Sequence, residues 1–421
     1  MIGGIFGVEA GKTIIVGAGI VGLATALQLQ ADGHRVLLLD PAEPASGCSS
    51  GNAGNLAESE IFPLAEPGIW HRLPRMLLDP MGPLVIRMAY LPRLIPWGLR
   101  FLAAARPGTF TASTAALASL NQLAVQSYLP LLQRAGAGDL VTRQGGLVAC
   151  RTRSMLDSTI AQIPLQIGHG IPAEALSPGA LRELEPGLSP DLAGGVYYPS
   201  AARCADPQAL GTRFAEAILR DGGEIRRAEV LGLTPAEDGS WQIMTDQGVI
   251  TAQRVVITAG VWSGKLMRHL GYKAPIETER GYHLMLPAPN VTLHRPCIMA
   301  ETSFCVTPMN HGLRLAGTVE MAGIKAPMNP RRSDILFDLA KPYLPGLDRS
   351  GATRWMGFRP SFPDSRPAIG RAARHRNLTY AFGHQHLGLT QAAITGRCIA
   401  DLVADRPPPI DLAPFSLARF G

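Results

Sequence analysis

The sequence predicts an α/β fold: a Rossmann-like parallel sheet whose segments are interleaved with a smaller α+β domain. Three observations predict it. An early strand-like run is followed by a glycine-rich turn, a helical pattern, a second strand and an acid. Two further blocks of the same character recur, one mid-chain and one near the C-terminus. The stretches between the blocks carry helix and strand patterns of their own. With 421 residues, 46% apolar and 17% charged, the chain can bury two or three cores, and global disorder is excluded.

The first block opens with the β-branched run Thr13–Val16 and continues as Gly17-Ala18-Gly19-Ile20-Val21-Gly22. In this G-x-G-x-x-G spacing Gly17 permits the tight turn, Gly19 lets a pyrophosphate approach the backbone, and Gly22 lets the helix pack on the sheet. The helix start at Ile20 and Val21 offers free N–H groups and a dipole to phosphate. A helical pattern, Leu23–Ala31, leads to the strand Val36–Leu39 and then Asp40, placed to accept from ribose hydroxyls. The motif signals dinucleotide binding and does not by itself separate NAD from FAD.

The residues after Asp40 form a small, polar loop, Gly47-Cys48-Ser49-Ser50-Gly51-Asn52-Ala53-Gly54-Asn55. The second block runs from Asp206-Pro207 through a helix, Gln208–Arg220, a strand around Glu224–Leu233 and a hairpin around Trp241–Ile250 to Arg254–Ser263, RVVITAGVWS. The third is a strand, Leu378–Phe382, a turn, Gly383-His384-Gln385-His386-Leu387-Gly388-Leu389-Thr390, and a helix, Gln391–Val403.

Taken in order, these blocks resemble the FAD-dependent D-amino-acid oxidase superfamily, in its G-x-S-x-x-N-A-G loop, its V-V-x-x-A-G-x-W-S strand and turn and its G-H-x-x-x-G-x-T segment. Within it the chain looks most like bacterial D-amino-acid and D-hydroxyproline dehydrogenases. The resemblance implies a glutathione-reductase-type FAD-binding domain over residues 1–60, 201–270 and 354–421, and a substrate-binding domain over 61–200 and 271–353. It implies FAD as cofactor. Ser49, Ser50, Asn52, Ala53 and Gly54 would pass between pyrophosphate and flavin, Val230 would lie near the adenine, and Ala259 and Gly260 near the pyrophosphate. Gly383 and the run His386, Leu387, Gly388, Leu389, Thr390 would face the flavin N1/O2 edge, where a helix N-terminus stabilises the negative charge of the reduced ring.

Arg359 is the leading catalytic-site candidate. It stands in Gly357-Phe358-Arg359-Pro360, similar to a family element whose arginine pairs with the substrate carboxylate. A planar guanidinium matches a carboxylate in two-pronged fashion. Tyr282 and His283 are further candidates, each with the alternative of packing in the core; Arg366, His384 and His386 also lie near the site. The implied reaction is oxidation of a small D-amino acid, with D-proline and cis-4-hydroxy-D-proline among the candidates. Hydride passes from Cα to flavin N5 and on to a respiratory-chain or dye acceptor, leaving an imine or 2-oxo acid. Two alternatives stand beside it: an O2-using oxidase of the glycine/sarcosine type, and a flavin-binding subunit of a larger dehydrogenase. The acceptor is open among a quinone, an electron-transfer protein and O2.

The formal charge of +6 comes without a Lys/Arg run, so a nucleic-acid partner is not expected. Six scattered cysteines with no C-x-x-C pair give no metal site. Met1–Lys12 is too short and weak for a secretory signal and no apolar stretch spans a bilayer, so a cytoplasmic location is expected. The segment Ile61–Phe110 carries six arginines against two acids among Leu, Ile, Met and Trp. It reads either as a basic amphipathic face peripheral to the inner membrane, meeting a quinone, or as short helices closing the site.

Overall fold

The computed structural model describes residues 5–8, 11–71, 73 and 82–421. Its central sheet has the order Glu224–Arg227, Arg35–Asp40, Lys12–Val16, Arg254–Ile257, His375–Phe382, Ala368–Ala372. The first five strands are parallel and the last is antiparallel. Ile14–Val16, Val36–Leu39 and Val255–Ile257 in its middle read as unbroken Val/Ile/Leu runs because both faces are covered. Ile15, Val36, Leu38 and Val256 point to a layer of helices that includes Ile20–Ala31, Pro207–Arg220 and Gly388–Val403. Ile14, Val16, Leu37 and Leu39 point the other way, to the sheet of Val230–Pro235, Trp241–Thr245 and Gly248–Ala252.

The strand expected around Glu224–Leu233 is two strands in two sheets. Glu224–Arg227 pairs with Arg35–Asp40, the Ala228 N–H donates to the Asp40 carbonyl and ends that ladder, and Val230–Pro235 starts the second sheet. The strand Ile5–Val8 adds to that sheet beside Gly248–Ala252; residues 1–4, 9 and 10 lie outside the described residues.

The second large sheet has the order Thr353–Ser361, Glu277–Leu286, Gly312–Met321, Phe304–Met309, Cys297–Met299, Gly146–Cys150, Gly194–Tyr198, Glu174–Leu176, with Leu84–Ile86 also paired to Gly312–Met321. One face packs on the helix Arg331–Ala340 through Leu284, Leu315, Leu336 and Phe337.

Two segments sit on the other side of the expected domain division. Pro107–Asn121 and Ala124–Ala135 bury Ala116, Leu120, Val125 and Tyr128 against Ala392 and Ile399 of the helix layer. Thr353–Ser361 pairs along its length with Glu277–Leu286. In each case an apolar face covers the nearest uncovered surface, which position along the chain does not specify.

The helix Leu91–Ala104 lies at the surface. Leu94 and Ala104 are buried, while Leu91, Ile95, Leu99 and Leu102 are exposed at helical spacing. Among the described residues no helix is long and apolar enough to cross a membrane. Arg72, Arg75 and Asp79 of the basic segment lie outside the described residues.

Candidate active site

A cleft opens along the C-terminal ends of the parallel strands, where an open α/β sheet presents its ligand crevice. Gly17, Gly19, Ile20, Val21, Asp40, Ser49, Asn52, Val230, Ala259, Gly260, Gly383, Gly388 and Leu389 all line it. Gly17 has φ +108°, and a Cβ there would come 2.7 Å from the Thr258 carbonyl. Gly22 sits beneath the turn: a Cβ would lie 2.0 Å from the Gly17 carbonyl. At Gly19 the nearest atom to an added Cβ is Ser49 Oγ, 3.5 Å away, so the glycine faces open space.

The helix Ile20–Ala31 begins with no side-chain cap and no acid in its first turn. The Ile20 N–H donates to Ser49 Oγ at 3.0 Å. An uncapped helix N-terminus over a concave space is a ready anion site, and it fits a pyrophosphate. The Asp40 carboxylate accepts from the Ala18 N–H at 2.8 Å and the Ala42 N–H at 2.9 Å. It braces the turn and keeps acceptor capacity for a diol. At the other end of the cleft the helix Gly388–Val403 also starts without a side-chain cap or a first-turn acid.

Several expected contacts lie off the cleft wall. Gly22, Ser50, Ala53, Gly54, His386, Leu387 and Thr390 are outside its lining. The Ser50 hydroxyl donates into its own loop, to Ser46 and Gly47 carbonyls, which corrects its assignment as a cofactor donor. Asn52 Nδ2 donates to the His386 carbonyl at 3.1 Å, and Thr390 Oγ1 accepts from the Ala57 N–H at 3.2 Å. These bonds tie the loop to the C-terminal turn and position both. The sequence reading passed over Cys48, Trp262, Lys265, Phe358 and Pro360, which also line the cleft.

The substrate end is set by strand register. Glu279 pairs with Arg359, Gly281 with Gly357 and His283 with Trp355, so these six share one face of the large sheet. The Arg359 guanidinium lies over Gly281, where a Cβ would come 2.4 Å from Arg359 Cζ. Arg359 forms no ion pair or hydrogen bond with the described residues, and its charge acts on Cys48, Glu279, His283 and His386.

His283 stacks on Trp355 with ring centroids 4.9 Å apart. Its Nδ1 lies 3.1 Å from the Gly51 carbonyl. A carbonyl only accepts, so Nδ1 carries the proton and Nε2 is left as an acceptor. Burial, with help from Arg314 and Arg359, holds His283 down to about 3. Burial and Arg359 hold His386 at about 4, and burial alone holds His384 at about 3. All three rings are neutral near pH 7.

Tyr282 is corrected as a site residue. Strand alternation sends it to the opposite face. There its hydroxyl donates to Glu320 Oε2 at 2.5 Å, and Glu320 pairs with Arg280 at 2.7 Å in the sheet interior. Arg366 is likewise structural: it pairs with Asp364 at 2.8 Å, and Arg419 bonds both.

Residues 12–402 match the family model DAO, FAD dependent oxidoreductase. The chain belongs to that family. This DAO-family chain is 38% identical over 419 residues to a D-amino-acid oxidase of Bradyrhizobium diazoefficiens, covering 98% of one chain and 99% of the other. It is 30% identical over 424 residues to a D-amino acid dehydrogenase of Rhizobium rhizogenes, covering 97% and 100%. Among solved structures, glycine oxidase from Geobacillus kaustophilus has the same fold, with a TM-score of 0.72 at 24% identity over 97% of this chain and 98% of that one. The DAO-family chain is therefore an FAD-dependent oxidoreductase of Rossmann-like α/β architecture.

Proposed function

We propose that the enzyme oxidises a D-amino acid at Cα, with the unpaired Arg359 guanidinium over Gly281 as the carboxylate grip. That guanidinium carries the reading. A free, half-buried cation beside neutral histidines is a receptor for an anion rather than part of the scaffold. The relatives named D-amino-acid oxidase and D-amino acid dehydrogenase support the substrate class.

In this reading Gly17–Val21 and Ala259–Gly260 hold the pyrophosphate of FAD, Asp40 the ribose, Val230 the adenine edge, and Gly383, Gly388 and Leu389 the flavin. FAD supplies the hydride acceptor. Arg359 fixes the carboxylate and hence the direction of the Cα–H bond. His283 and His386, held neutral, add no competing positive charge. Trp355 and the loop at Gly51 close the sheet side against water. As the Cα–H bond breaks with its electron pair, the amine lone pair forms the C=N bond. Loss of the N–H proton gives the imine, and water hydrolyses an acyclic imine to the 2-oxo acid and ammonia.

A dye-linked screen of the yellow holoprotein tests the substrate class, with D- and L-amino acids, D-proline, cis-4-hydroxy-D-proline, glycine and sarcosine as its arms. Turnover confined to L-amino acids or sarcosine ends the D-amino-acid reading. Peroxide formation under air separates O2 from a quinone or protein acceptor.

A membrane-bound acceptor is favoured by one observation. Leu91, Ile95, Leu99 and Leu102 form an exposed apolar stripe on Leu91–Ala104, and Arg93, Arg100 and Arg106 are exposed near it. This is the pattern of an interfacial helix on anionic lipid. Trp97 on that helix donates to the Ser361 carbonyl at 3.3 Å, two residues from Arg359, so docking would bring the site to the lipid surface. Co-sedimentation with anionic vesicles is expected, weakened when Ile95→Asp and Leu99→Asp are combined to disrupt the stripe; no binding at low salt sinks the idea.

A further inference from the structure

Three neighbouring strands in the middle of the large sheet each leave a residue partly exposed between two buried neighbours, and the three are in register. Val148 pairs with Ile298, Ile298 with Cys305, and Cys305 with Ala316. The row continues through His283 to Trp355. The flanking residues on those strands, Leu147, Ala149, Cys297, Met299, Phe304 and Val306, are buried, so the openings at Val148, Ile298 and Cys305 belong to one face. Interior strands expose a residue in this way when a cavity lies above it. The opening lies over those three residues; toward Arg359 the row continues through Ala316 and His283, which are buried. At its other end Val148 packs against the apolar cluster of Ile61, Val196 and Tyr198.

Glu60 stands between that cluster, next to Ile61, and Cys305. Its charge acts on Cys305 and on Tyr198. Its neighbours Ser59 and Ile61 are buried, and its main-chain carbonyl is held by Asn121 Nδ2 at 2.9 Å. Its carboxylate has no hydrogen bond or ion pair with the described residues, and burial alone pushes it above the usual carboxylate range. A partnerless carboxylate beside an apolar cluster is costly unless a ligand completes it.

We propose that Glu60 receives a cationic side chain, making amino acids with a terminal ammonium or guanidinium the preferred substrates; this rests on the D-amino-acid reading above. The strand under Arg359 and the strand bearing Cys305 are two inter-strand steps apart, about 10 Å across the sheet, and the row meets the first of them at His283, about 7 Å along it from Gly281. The α-amine of a substrate gripped by Arg359 is too close to that guanidinium to reach Glu60. A chain of three or four methylenes directed along the row, over Ala316 toward Cys305, carries its charged end toward it. A proline ring stops short and leaves the acid unpartnered.

The test is kcat/KM of the FAD-loaded enzyme for D-lysine and for D-norleucine, which has a similar reach without the charge, in wild type and Glu60→Gln. Wild type is expected to favour D-lysine by about tenfold or more, the factor that 1.4 kcal/mol represents. Glu60→Gln should bring the ratio to one or below and leave D-norleucine within about threefold. A wild type that turns over D-norleucine as well as D-lysine overturns the Glu60 assignment alone, as does an unchanged ratio in the variant. If Glu60→Gln loses its flavin, the wild-type ratio decides. A yellow protein that oxidises no D-amino acid overturns the underlying reading as well.

Discussion

Arg359 and Gly281 occupy adjacent strands of one sheet, and the guanidinium of the first lies where a side chain of the second would be. The missing methyl is what gives the cation its seat. Gly281→Ala should displace the flexible end of Arg359 while sparing the backbone. Thermal stability is expected to stay within about 1 kcal/mol, as for Gly-to-Ala changes at compatible positions, while kcat/KM falls at least tenfold. Unchanged kinetics would show that the guanidinium is not held for substrate.

On the proposed reading, Arg359→Ala removes a two-pronged, charge-assisted contact with the substrate carboxylate. KM should rise about 100-fold, close to 3 kcal/mol, with the flavin spectrum intact. Arg359→Lys should recover part of this, since a point charge replaces the fork. A KM within threefold of wild type in the alanine variant would remove Arg359 from the role.

Gly19 and Gly22 should separate cofactor binding from folding. Gly19→Ala puts a methyl into open cradle space; the apoprotein should fold normally and bind FAD at least tenfold more weakly. Gly22→Ala drives a Cβ to within 2.0 Å of the Gly17 carbonyl, and should cost about 1–3 kcal/mol by overpacking. Denaturant melts of the two apoproteins, with FAD titrations, check the contrast.

Tyr282→Phe should behave as a stability variant. It deletes the hydrogen bond to Glu320 and should cost about 1–2 kcal/mol, leaving KM for amino-acid substrates within twofold. A large KM effect with unchanged stability would return Tyr282 to the site.

The buried histidines predict an acid weakness. Unfolded, they take up protons near pH 6.5; folded, His283 and His384 do so at about 3 and His386 at about 4. Between those limits the unfolded chain binds more protons, so their contribution to stability falls as pH is lowered from 7 toward 4. The raised carboxyls of Glu58, Glu60 and Glu279 act in the opposite sense. A single variant therefore isolates the effect: His384→Asn should flatten the pH dependence of the unfolding free energy by up to about one proton over pH 5–7. An unchanged slope contradicts a depressed His384.

The turn Gly17–Gly22 and Asp40 are legible in the sequence because each glycine answers a local steric demand and the acid closes the next strand. Arg359 is legible through its neighbours Gly357, Phe358 and Pro360. Tyr282 against His283 is not: on Glu277–Leu286 both faces are buried, so no polar alternation marks which side meets the ligand. Ser50 is misread for a related reason, since a hydroxyl in a tight loop bonds its own carbonyls as readily as a ligand. Trp355 acquires its place beside His283 only from cross-strand register, which a linear pattern does not encode.

Ser361 bridges to His384, and the chain between them forms the hairpin Ala368–Ala372 and His375–Phe382 of the parallel sheet. The guanidinium at 359 and the helix start at 388 are thus moored to each other by main-chain bonds across the two large sheets. Reactants cannot be admitted by swinging those sheets apart without rupturing this mooring. Entry and exit fall to the elements that merely lean on it, foremost the surface helix whose Trp97 rests on Ser361.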